Sequence, residues 1–105
     1  MRVISKQPLR EFWETHPQAK APLSAWFRLM RQTRFAGFLA IKAAFPAADY
    51  VAPFTVFDIG GNKFRLVATI HYNMGRVFVR DVLTLSEYDE WSDNYRRRKR
   101  PARGK

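Results

Sequence analysis

The chain has 105 residues, of which 47% are hydrophobic and 15% aromatic, and it carries a formal net charge of +10. This length favours one domain, and the absence of cysteine excludes disulfides, thiolate metal sites and a cysteine nucleophile. No apolar run reaches the ~20 residues of a membrane span, and the N-terminus lacks the pattern of a signal peptide. The sequence therefore predicts a soluble, cytoplasmic protein without membrane contact.

The first half of the chain is predicted to be mainly helical. Its predicted elements are a strand at residues 2–5, a helix from about residue 6 to residue 17, a second helix from about residue 19 to residues 33–37, and a helical turn at residues 38–45. Leu23, Trp26 and Met30 recur at the spacing of one helix face, which supports the second helix. Pro17 and Pro46 close the first helix and the helical turn, because proline disrupts a helix that it interrupts.

The second half of the chain shows the two-residue alternation of strands. Strands are predicted at residues 54–59, 63–72 and 76–83, and a C-terminal helix at residues 86–94 has Ser86 as its N-cap. Glycine-rich turns between the strands join them into an antiparallel meander. The order of elements therefore predicts an α+β fold, in which two N-terminal helices lie on one face of a small antiparallel sheet. A short C-terminal helix and a basic tail follow.

Basic side chains recur in the second and third of these strands. Lys63 and Arg65 alternate with apolar residues and so fall on one face of their strand. In the next strand, Arg80 is predicted to share a face with Phe78 and Val82. Unpaired cations are too costly to bury beneath helices, so these belong on the uncovered face of the sheet. The hairpin is therefore predicted to gather Lys63, Arg65 and Arg80 around one patch.

Residues 96–105 differ from the rest of the chain in charge, since they hold seven of the 19 basic residues and no acidic residue. Because this segment has no large apolar side chain, residues 1–95 are predicted as the domain and residues 96–105 as a flexible arm. Such an arm suits contact with nucleic-acid phosphates, and it would also serve as a solubilising tail. The candidate RNA-binding residues within it are Arg96, Arg97, Arg98, Lys99 and Arg100.

The chain also carries a series of short motifs in a particular order. They are Leu9–Glu14, Leu39–Asp49, Val56–Leu66, Phe78–Arg80 and Thr84–Asp89. Across roughly residues 1–93, this series resembles the HigB type of toxin in the RelE-like superfamily, the toxic halves of bacterial toxin–antitoxin pairs. The resemblance implies an mRNA-cleaving toxin that acts at the ribosome without a cofactor. It also implies a cognate antitoxin as partner, with operator DNA bound only through the toxin–antitoxin complex.

The resemblance implies roles for particular side chains as well. Lys63, Arg65 and Arg80 would hold the scissile phosphate and stabilise the extra negative charge of the transition state. Tyr88, the fourth residue assigned to catalysis, would stack on a base or orient the phosphate. Asn62 and Glu87, the glutamate of the closing motif, would contact RNA.

The residues themselves leave structural alternatives open. The cations on the strand face can be solvated or paired with a carboxylate such as Asp58. Tyr88 can pack against Trp91, Asn62 fits a turn, and the charge of Glu87 suits the N-terminus of a helix. No group of residues has the spacing of metal ligands, so no metal site is predicted.

The closing motif departs from the family at one position. The family usually has Thr-His-x-Glu-Tyr there, and this chain has Leu85 in place of the histidine. Cleavage of RNA requires a proton to leave a 2′-hydroxyl and another to reach the departing 5′-oxygen, and such transfers contribute ~10²–10⁴-fold to rates. Leucine can do neither. Three interpretations stay open: an attenuated or inactive toxin, a toxin in which Lys63 transfers the proton, and a protein that binds RNA without cutting it.

Overall fold

The computed structural model describes residues 1–99, with side chains through residue 97. Its elements, in chain order, are β1 (Arg2–Ile4), α1 (Gln7–Thr15), α2 (Lys20–Gln32), α3 (Phe38–Ala44), β2 (Asp49–Val51), β3 (Phe54–Ile59), β4 (Phe64–His71), β5 (Arg76–Thr84) and α4 (Leu85–Lys99). Within this part of the chain, no helix is both long and apolar enough to cross a membrane. The predicted α+β class is confirmed.

The strands form one five-stranded sheet in the order β1-β5-β4-β3-β2. Neighbouring strands are antiparallel except β1 and β5, which run parallel at one edge. The predicted meander is confirmed as β3, β4 and β5. The sequence does not predict β2, because a strand of three residues is too short to show an alternating pattern.

Helices α1, α2 and α3 cover one face of the sheet and build the main core with it. Their buried side chains include Leu9 of α1, Leu23, Trp26 and Met30 of α2, and Ile41 of α3, each at most 2% exposed. Trp26 meets Phe57 of β3 edge to face, with ring centroids 5.4 Å apart. Burying each large apolar side chain typically contributes about 1.5–3 kcal/mol. The predicted position of the two N-terminal helices on one face is confirmed, and α3 joins them.

A β-bulge in β5 changes which of its side chains share a face. Arg80 is the extra residue, because its two neighbours pair with Val67 and Ala68 and leave it without a partner on β4. Such an insertion shifts the alternation of the bulged strand by one residue. Val82 consequently packs in the helical core, whereas Phe78 lies outside that core. The prediction that Phe78 and Val82 share a face is wrong, because alternation along one strand does not reveal an extra residue.

Helix α4 starts with a capping box. The Glu87 N–H donates to the Thr84 hydroxyl at 3.2 Å, and the Thr84 N–H donates to the Glu87 carboxylate at 2.8 Å. Thr84 therefore caps the helix, and the prediction of Ser86 as the N-cap is wrong. The helix also continues through residues 96–99, which the sequence predicts as part of a flexible arm, while residues 100–105 lie outside the described part of the chain.

Helix α4 lies against the face of the sheet opposite to α1, α2 and α3. Val56 and Val67 pair with each other on β3 and β4 there, and they are 3% and 0% exposed. Trp91 of α4 meets Phe54 of β3 edge to face, with ring centroids 5.4 Å apart. Less of this face is open than the sequence predicts, because the C-terminal helix is longer than predicted and carries aromatic residues that pack on it.

Candidate functional site

Arg65 lies near the start of β4 and is held by three interactions. Its Nε lies 3.1 Å from a carboxylate oxygen of Asp58, which faces it from β3. Nη1 donates to the Phe64 carbonyl at 3.1 Å, and Nη2 donates to Oδ1 of Asn62 at 2.7 Å. The ion pair that the sequence left open as an alternative is therefore present. Since a guanidinium has five N–H donors, two of them stay available, and the side chain is 13% exposed.

Tyr88 belongs to a ladder of aromatic rings on α4, formed by Tyr88, Trp91 and Tyr95. Successive rings are stacked, with centroids 5.7 Å and 5.5 Å apart. Tyr88 ends the ladder beside Arg65, whose guanidinium carbon lies 5.6 Å from the centre of its ring. The predicted alternative for Tyr88, packing against Trp91, is thus observed, and the same ring also contacts the candidate phosphate-binding residue.

The Tyr88 hydroxyl is a hydrogen-bond donor at neutral pH. Burial raises the pKa of Tyr88 above its ordinary value, and the Asp49 carboxylate raises it further. The charges of Arg65 and Arg96 and a hydrogen bond with Ser92 lower this pKa in part. Because a protonated phenol can donate to an anionic oxygen, Tyr88 can assist Arg65 in holding a phosphate.

The turn between β3 and β4 carries Asn62 and Lys63. Gly60 and Gly61 have φ values of 67° and 73°, which lie in the left-handed region that favours glycine, so this turn requires both glycines. Asn62 accepts the hydrogen bond that orients Arg65. Lys63 is exposed and precedes β4 instead of lying within it, so its side chain is not fixed on the predicted strand face.

Arg80 is exposed and directed toward a different part of β4. Its Nε donates to the Thr69 hydroxyl at 3.0 Å, and its guanidinium carbon lies 5.1 Å from the centre of the Phe78 ring. Thr69 lies four residues beyond Arg65, about 13 Å along the strand. The structure therefore brings Arg65 together with Asn62 and Tyr88, but it does not gather the three predicted cations at one point. The register of the hairpin explains why, because Arg65 pairs with Leu83 on β5, three residues beyond Arg80.

Two positions of the closing motif, Leu85 and Glu87, lie in the first turn of α4. The Glu87 carboxylate accepts the Thr84 N–H, which gives it a structural role at the start of the helix, and its contact with RNA stays a prediction. Leu85, for which the resemblance implies a histidine, is 36% exposed. A change at Leu85 is therefore tolerated by the packing more easily than a change in the core.

The basic end of α4 is only partly described. Arg96 and Arg97 are exposed on the helix. The side chains of Arg98 and Lys99, and the whole of Arg100, lie outside the described residues. The RNA contacts predicted for this segment remain predictions.

A cleft that the sequence does not predict lies between α1 and the unpaired edge of β5. It has a volume of about 550 Å³, and its lining includes the titratable residues Glu11, His16, Asp81 and Glu87 as well as Arg80. Burial and then the charge of Glu87 raise the pKa of Asp81, and a backbone hydrogen bond from Val82 lowers it in part. Among residues 1–99, no three histidine or acidic side chains are placed to hold a metal ion together.

The raised pKa of Asp81 predicts a pH-dependent effect of Asp81→Asn. When the pKa of a carboxyl is higher in the folded than in the unfolded state, its protonated form stabilises the folded protein at low pH. This stabilisation is lost as pH rises through the folded-state pKa. Charged Asp81 is therefore unfavourable at pH 7, and Asp81→Asn should raise the free energy of unfolding there by less than about 1 kcal/mol, because solvent screens an exposed group. The advantage should vanish below the folded pKa.

Urea denaturation at pH 7 and at pH 3 measures this difference, with Asp93→Asn on the exposed side of α4 as the control. A variant of Asp81 that is less stable than the parent at both pH values would contradict the assignment.

Comparison with known proteins connects this site to a family. Residues 19–91 match the model of the HigB toxin family, described as the RelE-like toxic component of a toxin–antitoxin system. This match includes α2, the strands β2 to β5, and the first half of α4 with Tyr88. It therefore includes Asn62, Arg65 and Arg80 as well.

Individual relatives agree with the family match. The chain is 32% identical over 102 residues to the mRNA interferase HigB of Escherichia coli O6:H1 strain CFT073. The matched region covers 94% of this chain and 99% of the relative. It is 33% identical over 92 residues to the mRNA interferase toxin HigB of Escherichia coli K12 and to the mRNA interferase HigB of Shigella flexneri, with 85% of this chain and 88% of each relative covered. On these grounds the chain belongs to the HigB family of RelE-like toxins, and the partner that such membership implies is a cognate antitoxin.

Proposed function

We propose that this protein is an mRNA-cleaving toxin, an endoribonuclease that cuts transcripts at the ribosome in the cytoplasm. The relatives that match nearly the whole chain carry the name mRNA interferase, which supports this activity. The cognate antitoxin binds and inhibits the toxin, and operator DNA is bound only through their complex. The reaction uses side chains of the protein and no cofactor.

The observation that carries the proposal is the fixed position of Arg65 beside Tyr88. Asp58 and Asn62 orient the guanidinium before any substrate arrives, and two of its N–H donors stay available for a phosphate. Donors that are already oriented toward developing charge lose little energy to reorganisation during the reaction. An arginine that is merely solvated would lack this preorganisation.

The surrounding residues take complementary roles. Lys63, exposed in the adjacent turn, supplies a second positive charge to the scissile phosphate. Tyr88 donates a hydrogen bond to a phosphate oxygen or stacks on the neighbouring base. Arg80, which lies further along the sheet beside Thr69, contacts the next phosphate of the strand instead of the scissile one.

The basic segment at the end of the chain adds contacts outside the catalytic site. Arg96 and Arg97 extend from α4 past the aromatic ladder, and Arg98, Lys99 and Arg100 follow them in the sequence. Lysine and arginine side chains bind phosphates of any sequence. We assign them to ribosomal RNA, where they raise affinity without choosing the position of the cut.

The cleavage reaction follows from these positions. The 2′-oxygen of the ribose attacks the adjacent phosphorus, the bond to the 5′-oxygen breaks, and the products carry a cyclic phosphate and a 5′-hydroxyl. Arg65 and Lys63 stabilise the added negative charge on phosphorus in the transition state. Since Leu85 transfers no proton, Lys63 or water moves the two protons, and cleavage is slower than it would be with an imidazole at that position.

A second candidate function is RNA binding without cleavage on the same scaffold. The observation that favours it is Leu85, which stands at the exposed start of α4 where the family has histidine. Stacking on the aromatic ladder and contacts from the basic side chains would bind RNA equally well in an inactive protein.

Purified protein added to translating ribosomes separates the two functions. Primer extension on the message should show cuts that depend on the protein, that are absent when ribosomes are omitted, and that disappear when antitoxin is added. Tight binding to ribosomes with no cut in the message, at protein concentrations that saturate binding, would favour the second function.

A further inference from the structure

A basic groove runs along the outer side of α2, on the layer of the molecule opposite to the candidate site. It consists of two adjoining cavities of about 540 Å³ and 530 Å³, which share Phe27 and Arg31. We call this surface the Phe27 groove, and its lining side chains include four cations and two neutral polar groups: Arg2, Lys6, Arg28, Arg31, Ser24 and Gln32.

Helical spacing explains why the groove residues lie together. Ser24, Phe27, Arg28 and Arg31 recur at three- and four-residue steps, so they form a stripe on α2. The stripe that contains Trp26 packs toward the sheet instead. The groove stripe therefore points away from the sheet, while the candidate site lies on the far face of that sheet.

Phe27 organises the groove by holding two of its cations. The Lys6 ammonium lies 4.8 Å from the centre of the Phe27 ring, and the guanidinium carbon of Arg31 lies 5.7 Å from it. Such contacts fix long basic side chains at modest cost in conformational freedom. Both cations are thereby kept next to the groove.

In the part of the chain that the structure describes, no carboxylate forms an ion pair with a cation of the groove. Within the described residues, the ion pair found between a carboxylate and a basic side chain joins Arg65 to Asp58, on the other face of the sheet. A surface with four neighbouring, uncompensated positive charges creates a positive potential that attracts an anionic partner. The groove therefore suits a polyanion.

We propose that the Phe27 groove binds the phosphate backbone of RNA, without reading its bases and separately from the site of cleavage. Its lining matches this ligand, because phosphate contacts in nucleic-acid complexes come from arginine, lysine, serine and glutamine side chains. An acidic protein partner fits less well, since the centre of a protein interface is depleted of charge and needs a buried apolar anchor. Here the aromatic side chain is half-buried and flanked by cations.

The position of the groove implies a second RNA segment. The candidate site and the groove are separated by the sheet and by α2, so a strand threaded past Arg65 does not enter the groove without passing around the molecule. On a ribosome, the groove would therefore bind ribosomal RNA while the candidate site holds the message. This placement rests on the proposed function, whereas phosphate binding by the groove does not.

Equilibrium binding of a labelled 2′-O-methyl oligouridine, measured by fluorescence anisotropy at several salt concentrations, tests the proposal. This probe cannot be cleaved, because its 2′-hydroxyls are blocked. The double variant Arg28→Gln/Arg31→Gln removes two cations from the groove, and each phosphate contact to a single strand contributes roughly 0.7 to the slope of log affinity against log salt. The slope should become shallower by about 1.4, and affinity at low salt should fall.

The matched control is the double variant Arg10→Gln/Arg76→Gln, which removes the same charge from exposed positions that do not line the groove. Its slope should stay close to that of the parent. Equal losses in both double variants, or no loss in the groove variant, would overturn the proposal. The proposal would also be overturned if the groove variant bound the oligonucleotide normally but no longer bound the cognate antitoxin, because the groove would then be a binding site for a protein partner.

Two further measurements keep the outcome interpretable. Ser24→Glu places a negative charge in the groove without removing an arginine, and it should weaken oligonucleotide binding even if the double variant folds poorly. Arg65→Ala should leave the contribution of the groove to the salt slope in place while message cleavage is lost. A failure of the groove proposal is therefore distinguishable from a failure of the proposed function.

Discussion

Arg65→Ala should reduce message cleavage by about 10²–10³-fold, the loss typical when one preorganised donor to a transition-state oxyanion is removed. The reason is that the guanidinium, fixed by Asp58 and Asn62, presents its two remaining donors to the phosphate. Arg65→Lys should recover only part of the loss, because an ammonium cannot reproduce the planar, bidentate contact. Rates of message cleavage on translating ribosomes, at saturating toxin, measure the effect.

The control for Arg65 is Arg76→Ala, at the far end of the same hairpin. Arg76 is also an exposed strand arginine, and it pairs with His71, about 20 Å along β4 from Arg65. Its loss removes the same charge and should leave the cleavage rate within a few-fold of the parent. Thermal melts of both variants exclude unfolding as the cause. If Arg65→Ala cleaves as fast as Arg76→Ala, Arg65 has no role in the reaction.

Leu85→His should increase the cleavage rate, by up to ~10²–10⁴-fold if proton transfer limits the parent protein. The imidazole supplies the residue type that the resemblance implies for the closing motif, and Leu85 is exposed at the start of α4, so the replacement disturbs little packing. The gain should depend on pH with a midpoint near the ordinary imidazole pKa of about 6.5. Single-turnover cleavage of ribosome-bound message as a function of pH measures both the gain and its midpoint.

Leu85→Gln is the matched control for this gain. Glutamine is polar and similar in size, but it does not exchange protons near neutral pH. It should therefore leave the rate of the parent unchanged. Equal rates for Leu85→His and Leu85→Gln would show that proton transfer at this position does not limit the reaction, and would favour Lys63 as the residue that transfers the proton.

The sequence predicts much of the fold because local patterns control it. The spacing of Leu23, Trp26 and Met30 predicts α2, and the turn at Gly60 predicts the junction of β3 with β4. The α+β class follows from the order of these elements. By contrast, β2 is too short to show a pattern, and the N-cap of α4 is ambiguous because Thr84 and Ser86 both suit a cap.

The candidate site was predicted in part. Alternation and family resemblance both single out Arg65, the resemblance alone singles out Tyr88, and the structure places the two in contact. The aromatic ladder was not predicted, although aromatic residues at positions 88, 91 and 95 of a polar helix carry its signal. The grouping of Lys63, Arg65 and Arg80 was predicted as one patch, and the structure separates Arg80 from it.

The residue types and their order along the chain were enough to predict the α+β class, the helices α1 and α2, and the central hairpin that carries the basic side chains. Only the tertiary structure decided where those side chains point. The partner strand determines the bulge at Arg80, the opposing strand supplies Asp58 to Arg65, and α4 brings Tyr88 across the sheet. The physical reason is that secondary structure depends on neighbours in the sequence, whereas the direction of a side chain also depends on strands and helices that are distant in the sequence and adjacent in space.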